Sequence, residues 1–466
     1  MDSINDNKDL INHYLNDHLF LNVLELIPIT QLFNLRLVCQ RFKRLVDYQL
    51  TFRRCIAIAI NIGCDDNTND EDDDEYDSKC DCNDYRHRFT TNDCLYKSCR
   101  QVKDGSRTLY VLNDNQLIQL FTFCPNIKAL SLESTIIDRN VWQHFRDNCP
   151  KGVQHIDFSN SQGLIDEVIR FIVITTGQTL QHIILNDSDI SESTLEFILK
   201  NCPKLEVLNV SKNVRITGLC FGLLPQSIKR LVLNNCWNLS LEAIKCIVTG
   251  SAKCLTNLEI NGEFIDNKIV SEICENLFNL QILEIDCSNI EDKHTLHKLS
   301  NLRHLEELNL FLPSIKFDYI LCDILKNNYY LKKLSLDGAI VTDYSIQFLP
   351  QFCPHLEYLS IAFEELIINN KISDNCCESL AKLNNLQHLD LQYTKIGDKL
   401  IQVITDCPNI LTVEIEGCKQ VTNKLIDCMI DIAKQRPNKS LTLFARETHL
   451  NEPEVQIPDN LQLILN

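Results

Sequence analysis

The 466 residues predict an α/β fold: a solenoid shaped as a horseshoe, with parallel strands inside and helices outside, preceded by a small all-α module. Three observations carry that expectation. An apolar signature, L-x-x-L-x-L in its loosest form, recurs twelve times between Ile127 and Val413, and a weaker copy follows at Leu441 and Leu443. Residues suited to starting a helix come soon after most copies. In front of the repeats, residues 15–46 carry apolar side chains at helical spacing.

The signature begins at Ile127, Val153, Leu180, Leu205, Ile228, Leu255, Leu280, Leu305, Leu331, Leu356, Leu386 and Ile410, so all steps but one span 23 to 27 residues. In Leu205-x-x-Leu208-x-Val210 or Leu331-x-x-Leu334-x-Leu336 the last two apolar residues are two apart, as one face of a strand requires. Pairs such as Ile165-Asp166, Ile265-Asp266, Val341-Thr342-Asp343, Ile372-Ser373-Asp374, Ile396-Gly397-Asp398 and Val421-Thr422-Asn423 follow the strands. Their oxygens accept from orphan amides at a helix start, each cap contributing about 1 kcal/mol. The helix bodies then read Leu195, Ile198, Leu199 or Leu425, Cys428, Met429, Ile432. Cys-Pro pairs at 124–125, 149–150, 202–203, 353–354 and 407–408 stop the helices, because proline cannot continue one. Cysteine also fills the turn after the strand at Cys236 and Cys418, where Asn213 serves elsewhere.

This combination resembles the cysteine-containing subclass of leucine-rich repeats over roughly residues 120 to 445. A unit of this kind cannot bury its apolar face alone, so stacking is obligatory and the chain grows by adding units. Leu461 to Leu465 suit a last strand covering the open edge. The step from Leu356 to Leu386 is 30 residues long and contains Phe363 to Asn370, expected as a surface loop.

No secretory signal is expected from the polar segment Met1 to Leu10, and no apolar run suits a membrane. The 23 cysteines are odd in number and many recur at equivalent repeat positions, which points to small buried thiols in a reducing compartment: the cytoplasm first, and the nucleus besides. Of the net charge of −18, eleven acids against Lys79 place −10 between Asp65 and Asp84. Such a composition buries too little apolar surface to offset the entropy of ordering. The expected organisation is a flexible terminus over 1–14, a helical module over 15–60, an acidic insertion lacking order over 61–105, and repeats over 106–466. Cys64, Cys80, Cys82, Cys94 and Cys99 in the insertion are spaced C-x-C and C-x4-C rather than as two C-x2-C pairs, so no metal site is expected.

Residues 15–46 read as a short helix broken at Pro28 and followed by two further helical stretches, too little chain for its own core. Such a module needs a partner surface. The segment resembles an F-box at Leu15, Leu19, Phe20, Val23, Leu24, Ile27, Pro28, Leu32, Leu35, Val38, Cys39, Arg41, Phe42 and Leu45. It departs from the family at Asn16, where proline is usual, and at His18, where glutamate is usual. The resemblance implies that these residues bind the Skp adaptor of a cullin-RING ubiquitin ligase while the repeats hold a protein substrate. The order of segments is similar to that of the F-box and leucine-rich repeat family. A plain repeat scaffold without a ubiquitin role is the alternative, for which Asn16 and His18 speak.

No catalytic residues or cofactor are expected: the chain has no G-x-S-x-G, H-E-x-x-H, phosphate-cradling G-x4-G-K-S/T or G-x-G-x-x-G pattern. Neither nucleic acid nor membrane is an expected partner. The residue between the two inward positions of each strand turns acidic from Glu259 onward, through Glu284, Asp390 and Glu414. With Asp286 and Asp337 just beyond their strands, this column suits a basic degron, and Phe311, Tyr358 and Tyr393 are candidate aromatic anchors.

Overall fold

The computed structural model describes residues 55–57, 100–104, 107–111, 126–132, 135–137 and 149–466, apart from 164, 251–253, 263, 314, 364–370, 454 and 466. The adaptor-binding candidates from Leu15 to Phe42, most of the acidic insertion, and the core of the long loop after Phe363 lie outside the described residues. Contacts divide the chain into two compact units, Met1–Ile216 with Leu223–Ile228, and Thr217–Gly222 with Lys229–Asn466.

The first unit contains β1 (Cys55–Ala57), β2 (Arg100–Asp104), β3 (Arg107–Val111), β4 (Ala129–Ser131), β5 (Thr135–Ile137), β6 (His155–Asp157), β7 (Gln162–Gly163), β8 (His182–Ile184) and β9 (Val207–Asn209). Parallel pairing runs β1, β4, β6, β8, β9. A side sheet joins the antiparallel hairpin of β2 and β3 to β5 and β7. Two strands lie near the ends of the ranges expected for the first segments. The stretch expected to be helical to residue 60 holds a strand at 55–57, where Ile56, Ile58 and Ile60 alternate with period two. The insertion expected to lack order to residue 105 ends in β2, beyond the last of the clustered acids at Asp84.

The second unit is a single parallel ladder in chain order: β10 (Arg230–Val232), β11 (Asn257–Ile260), β12 (Ile282–Asp286), β13 (Glu307–Phe311), β14 (Lys333–Asp337), β15 (Tyr358–Ser360), β16 (His388–Asp390), β17 (Thr412–Glu414), β18 (Leu441–Phe444) and β19 (Leu461–Ile464). Every signature from Ile127 onward therefore carries a strand, and β19 covers β18 at the end of the ladder. Within each unit the described strands from β4 onward that carry the signature form a run of leucine-rich repeats. Leu305, Leu308 and Leu310, like their equivalents, are buried, and each such side chain contributes about 1.5–3 kcal/mol.

Returning segments alternate with the strands: α1 (Ile165–Thr176) and α2 (Glu192–Asn201) in the first unit, then α3 (Leu241–Gly250), α4 (Asn267–Asn276), α5 (Asp318–Asn327), α6 (Asp343–Ile346), α7 (Leu349–Phe352), α8 (Cys377–Leu380), α9 (Leu400–Asp406) and α10 (Lys424–Gln435) in the second. Lys293–Asn301 is a 3-10 helix where an α-helix was expected. Caps form at Ser191, which accepts from the Thr194 amide, and at Asp266, which accepts from Lys268 and Ile269. Other acids of the same sequence pattern serve the neighbouring repeat instead. Asp166 accepts from the Ser191 amide at 3.0 Å, Asp343 from Ser373 at 2.8 Å, Asp374 from Gly397 at 2.6 Å and Asp398 from Thr422 at 2.8 Å. Isolated parallel bridges between the same segments, such as Thr342 with Lys371, leave amides that these carboxylates satisfy.

A second column of side chains locks the turns after the strands. Ser161 and Ser188 donate their hydroxyls to Leu132 O and Phe158 O, each at 2.6 Å; the Asn213 amide donates to Leu185 O at 2.7 Å and the Cys418 thiol to Leu391 O at 3.1 Å. Each acceptor is the equivalent carbonyl one repeat earlier. The residue before this column adopts a left-handed backbone at Asn160, Asp187, Lys212, Asn235, Tyr393 and Gly417. The tight turn there lets the chain double back toward its helix. Cysteines from Cys149 to Cys428 are all free thiols, and burial pushes Cys202 and Cys353 up to about 12.

Candidate functional site

Strand alternation in the second unit turns three columns of side chains away from the leucine core, onto the open face of the sheet. Parallel register aligns Glu259, Glu284, Asn309, Ser335, Ser360, Asp390 and Glu414 as one column, with the core residues Leu258 through Val413 beside it. A second column runs Arg230, Asn257, Ile282, Glu307, Lys333, Tyr358, His388 and Thr412. Asp286, Phe311 and Asp337 are register partners in the third. Strands in such a ladder lie about 4.8 Å apart, so successive side chains of a column are in contact range.

This face is crowded. Glu259, Asp390 and Glu414 are each 8 % exposed, and the chain supplies partners for the acids. Arg230 Nε donates to Glu259 Oε1 at 3.0 Å, and a second guanidinium nitrogen lies 2.8 Å from the same oxygen. Glu284 Oε1 accepts from the side-chain amides of Asn234 at 2.9 Å and Asn261 at 2.8 Å. Asp286 accepts from the Ser288 amide at 2.8 Å and from the Ser288 hydroxyl. Asn309 sits between Glu284 and Ser335, and its buried side-chain oxygen makes no hydrogen bond to any described residue.

Toward β17 the groups form a linked cluster. Ser335 and Ser360 both donate to Asp337 Oδ1, at 3.0 and 3.1 Å, and the Ser360 hydroxyl also lies 3.1 Å from Asp390 Oδ2. Asp390 Oδ1 accepts from the Gln392 amide at 3.1 Å. Burial, with Glu414 beside it, pushes the Asp390 carboxyl up to about 7. Burial likewise raises Glu416 above the usual carboxylate range. Glu414 accepts from Gln392 Nε2 at 2.8 Å and faces His388 Nε2 at 3.2 Å. The His388 ring stacks on Tyr358 with centroids 4.3 Å apart, and Lys333 Nζ lies 5.2 Å from the centre of the Tyr358 ring.

Of the sequence-derived candidates, register unites Glu259, Glu284, Asp390 and Glu414 in one column and places Asp286, Phe311 and Asp337 in the next. Phe311 and Tyr358 are half-buried on the open face. Tyr393 lies at the turn beyond β16, its φ of 55° left-handed and its hydroxyl donating to Glu447 at 3.2 Å. A bulky residue in that conformation is strained, at a cost of about 1–2 kcal/mol. Sequence reasoning missed Arg230, Asn234, Lys333, His388 and Gln392. Each stands two residues from a column position, on the same strand face, which is the signal that reveals them.

Aromatic side chains also gather near the helices. Tyr319, Tyr344, Phe348 and Phe352 form a chain of ring contacts from 5.4 to 6.3 Å, and Tyr329, Tyr330 and His355 form another. No group of three or more metal-ligating side chains occurs among the described residues. No helix among them is long and apolar enough to cross a membrane.

Residues 13–54 match the model of the F-box domain. The match contains every adaptor-binding candidate from Leu15 to Phe42 and ends one residue before β1. No curated protein matches the chain. Among solved structures the chain is similar to an internalin from Listeria monocytogenes, at 16 % identity over 74 % of this chain and 88 % of that one, with a TM-score of 0.45. A chain of the yeast Rad7 and Elc1 complex shares 16 % identity over 67 % and 75 %, with a TM-score of 0.45. A leucine-rich-repeat protein of Leptospira interrogans shares 16 % over 73 % and 93 %, with a TM-score of 0.37.

Proposed function

We propose that this protein is the substrate-recognition subunit of a Skp-cullin-F-box ubiquitin ligase, non-catalytic itself. The observation behind the reading is an F-box match at residues 13–54 placed directly before a parallel ladder of repeats. Leu15, Leu19, Phe20, Val23, Leu24, Ile27, Pro28, Leu32, Leu35, Val38, Cys39 and Phe42 would meet the Skp-type adaptor. The open face of the second unit would hold a protein substrate through a basic segment, against Glu259, Glu284, Asp286, Asp337, Asp390 and Glu414, with Phe311, Tyr358 and Tyr393 as anchors. Support comes from the alignment of those acids along one column of the open face. Membership of the repeats in the cysteine-containing subclass belongs to the same proposal, supported by the burial of Cys202, Cys353 and Cys407 before their prolines. So do a reducing cytoplasmic or nuclear location and the boundaries 1–14, 15–60, 61–105 and 106–466.

Co-purification of the full chain with a purified Skp adaptor tests the first half. Complex formation that is lost on Leu24→Asp with Leu35→Asp supports the reading; failure to bind at micromolar concentration refutes it and favours a plain scaffold. Charge reversal at Glu284 and Asp390 should reduce substrate ubiquitination in a reconstituted ligase while adaptor binding persists. Unchanged ubiquitination would remove the acidic column from the proposal.

A further inference from the structure

The parallel ladder of the second unit ends at β19, and no other described strand pairs with its far edge. The Leu441 amide donates to Asn460 O at 2.8 Å and the Ala445 amide to Ile464 O at 2.9 Å, so Asn460, Gln462 and Ile464 turn their backbone groups toward β18. Those of Leu461, Leu463 and Leu465 therefore point outward. The Leu461 amide is taken up locally by Pro458 O at 3.0 Å. The edge is left with the amides of Leu463 and Leu465 and the carbonyls of all three leucines.

Sheet edges are commonly guarded against a further strand by charge, proline or a bulge. From Asn460 to Asn466 this one has no charged residue and no proline. The segment reads Asn-Leu-Gln-Leu-Ile-Leu-Asn, nearly the same from either end about Leu463. By alternation Leu461, Leu463 and Leu465 share the core face of the sheet, and Leu463 and Leu465 are only half-buried at the end of the leucine core. Beside the strand, the chain leading into it lies along α10: the Asn451 amide donates to Asn423 Oδ1 at 3.0 Å, and Asn460 Nδ2 donates to Ala433 O at 3.0 Å. Val455 and Ile457 in this segment are exposed.

We propose that β19 pairs antiparallel with β19 of a second copy of this chain, about a two-fold axis at Leu463. That register sets Leu463 opposite itself and Leu461 opposite Leu465. The Leu463 amides and carbonyls then bond across the axis, and the Leu465 amide of each copy donates to the Leu461 carbonyl of the other. Leucine meets leucine on the core face, and Gln462 meets Ile464 on the open face. A foreign strand could use the same backbone groups, but the near-palindrome fits β19 to itself, and the two-fold contact closes on both copies where head-to-tail addition would leave an edge open. An edge of this length makes a small interface, of the class that forms and parts reversibly. Because the axis stands perpendicular to the sheet, the acidic columns of the two second units lie on one side of the joined sheet.

Sedimentation velocity of the full chain from about 1 to about 100 µM should show a reversible shift from monomer to dimer. Gln462→Glu with Ile464→Glu sets like charges opposite one another on both sides of the axis and should raise the dissociation constant by about tenfold or more. Gln462→Lys with Ile464→Glu sets opposite charges there and should restore the dimer, which also shows that changing these two positions leaves the fold intact. Hydrogen exchange at the outward Leu463 and Leu465 amides should slow as the dimer forms. A chain that stays monomeric throughout overturns the proposal, and so does a dimer indifferent to the like charges or one that the charge swap fails to restore. Protection of the two amides that appears only when a second protein is added to the monomer would assign the edge to a foreign strand and overturn self-pairing as well.

Discussion

Asn213 fills the turn position occupied by Ser161 and Ser188 in the two preceding repeats and by cysteine at Cys236 and Cys418. Its side chain is fully buried. It donates to Leu185 O at 2.7 Å, Val210 O at 2.9 Å and Ser211 O at 3.1 Å, and accepts from the Ile190 amide at 3.0 Å and the Ser188 amide at 3.3 Å. Asn213→Ala leaves these groups behind with no route for water. An orphaned buried backbone group costs about 1–3 kcal/mol. Counting Leu185 O and the Ile190 amide in full and the longer contacts in small part, the variant should lose about 3–5 kcal/mol. Asn213→Cys should lose about half as much, because a thiol can donate to Leu185 O as Cys418 does to Leu391 O, but accepts weakly from Ile190. Urea unfolding of the three proteins gives the energies, and hydrogen exchange locates the loss. Protection should fall first at Ser188 and Ile190. An alanine variant within about 0.5 kcal/mol of wild type, or a loss of protection confined to the second unit, would refute the reasoning.

Further outcomes follow from the open face and the thiols. Arg230→Ala should destabilise the second unit by about 3–5 kcal/mol by removing the guanidinium that meets the buried Glu259, whereas Arg230→Met with Glu259→Leu should restore most of it in a double-mutant cycle; equal losses would sink the pairing. Because the folded Asp390 pKa lies above the ordinary 3.8, the folded state binds a proton that the unfolded chain lacks between those values. Its ionisation therefore costs stability as pH rises through about 7, and the cost vanishes as pH falls toward 4. Asp390→Asn should accordingly stabilise the protein by at most about 4 kcal/mol at alkaline pH, and by little near pH 4, in parallel denaturation series. Under native conditions iodoacetamide should modify the exposed Cys254 before the buried Cys202, Cys353 and Cys407; uniform labelling on mass spectrometry would contradict their protonated, enclosed state.

Periodicity made the repeats legible because burial acts on the same positions in each unit: a leucine at 305 or 331 has one place to go. Register of the acidic column was legible for the same reason, since parallel strands of equal phase align equivalent residues. Partners were not. Whether an acid after a strand caps its own helix, as Asp266 does, or takes an amide of the next repeat, as Asp343 and Asp374 do, depends on the turn between repeats, and the turn varies in length. The strand at Cys55–Ala57 was hidden by its place next to a helical pattern, although three isoleucines in alternation announced it.

The acids of the open face follow from the same physics as the leucines beneath them. A column of like charges about 4.8 Å apart cannot stay ionised and unpartnered in a crowded sheet face. Three arrangements occur along one column: a guanidinium at Glu259, side-chain amides at Glu284, and a serine hydroxyl, a backbone amide and an imidazole at Asp390 and Glu414. They differ in what a ligand could displace. Arg230 is covalently tied to the adjacent strand and holds Glu259 at short range, so an incoming cation would have to compete with it. Asp390 is met by the Ser360 hydroxyl and the Gln392 amide, neutral donors that cancel no charge, which makes the β16–β17 end the part of the column where an added positive charge has least to displace.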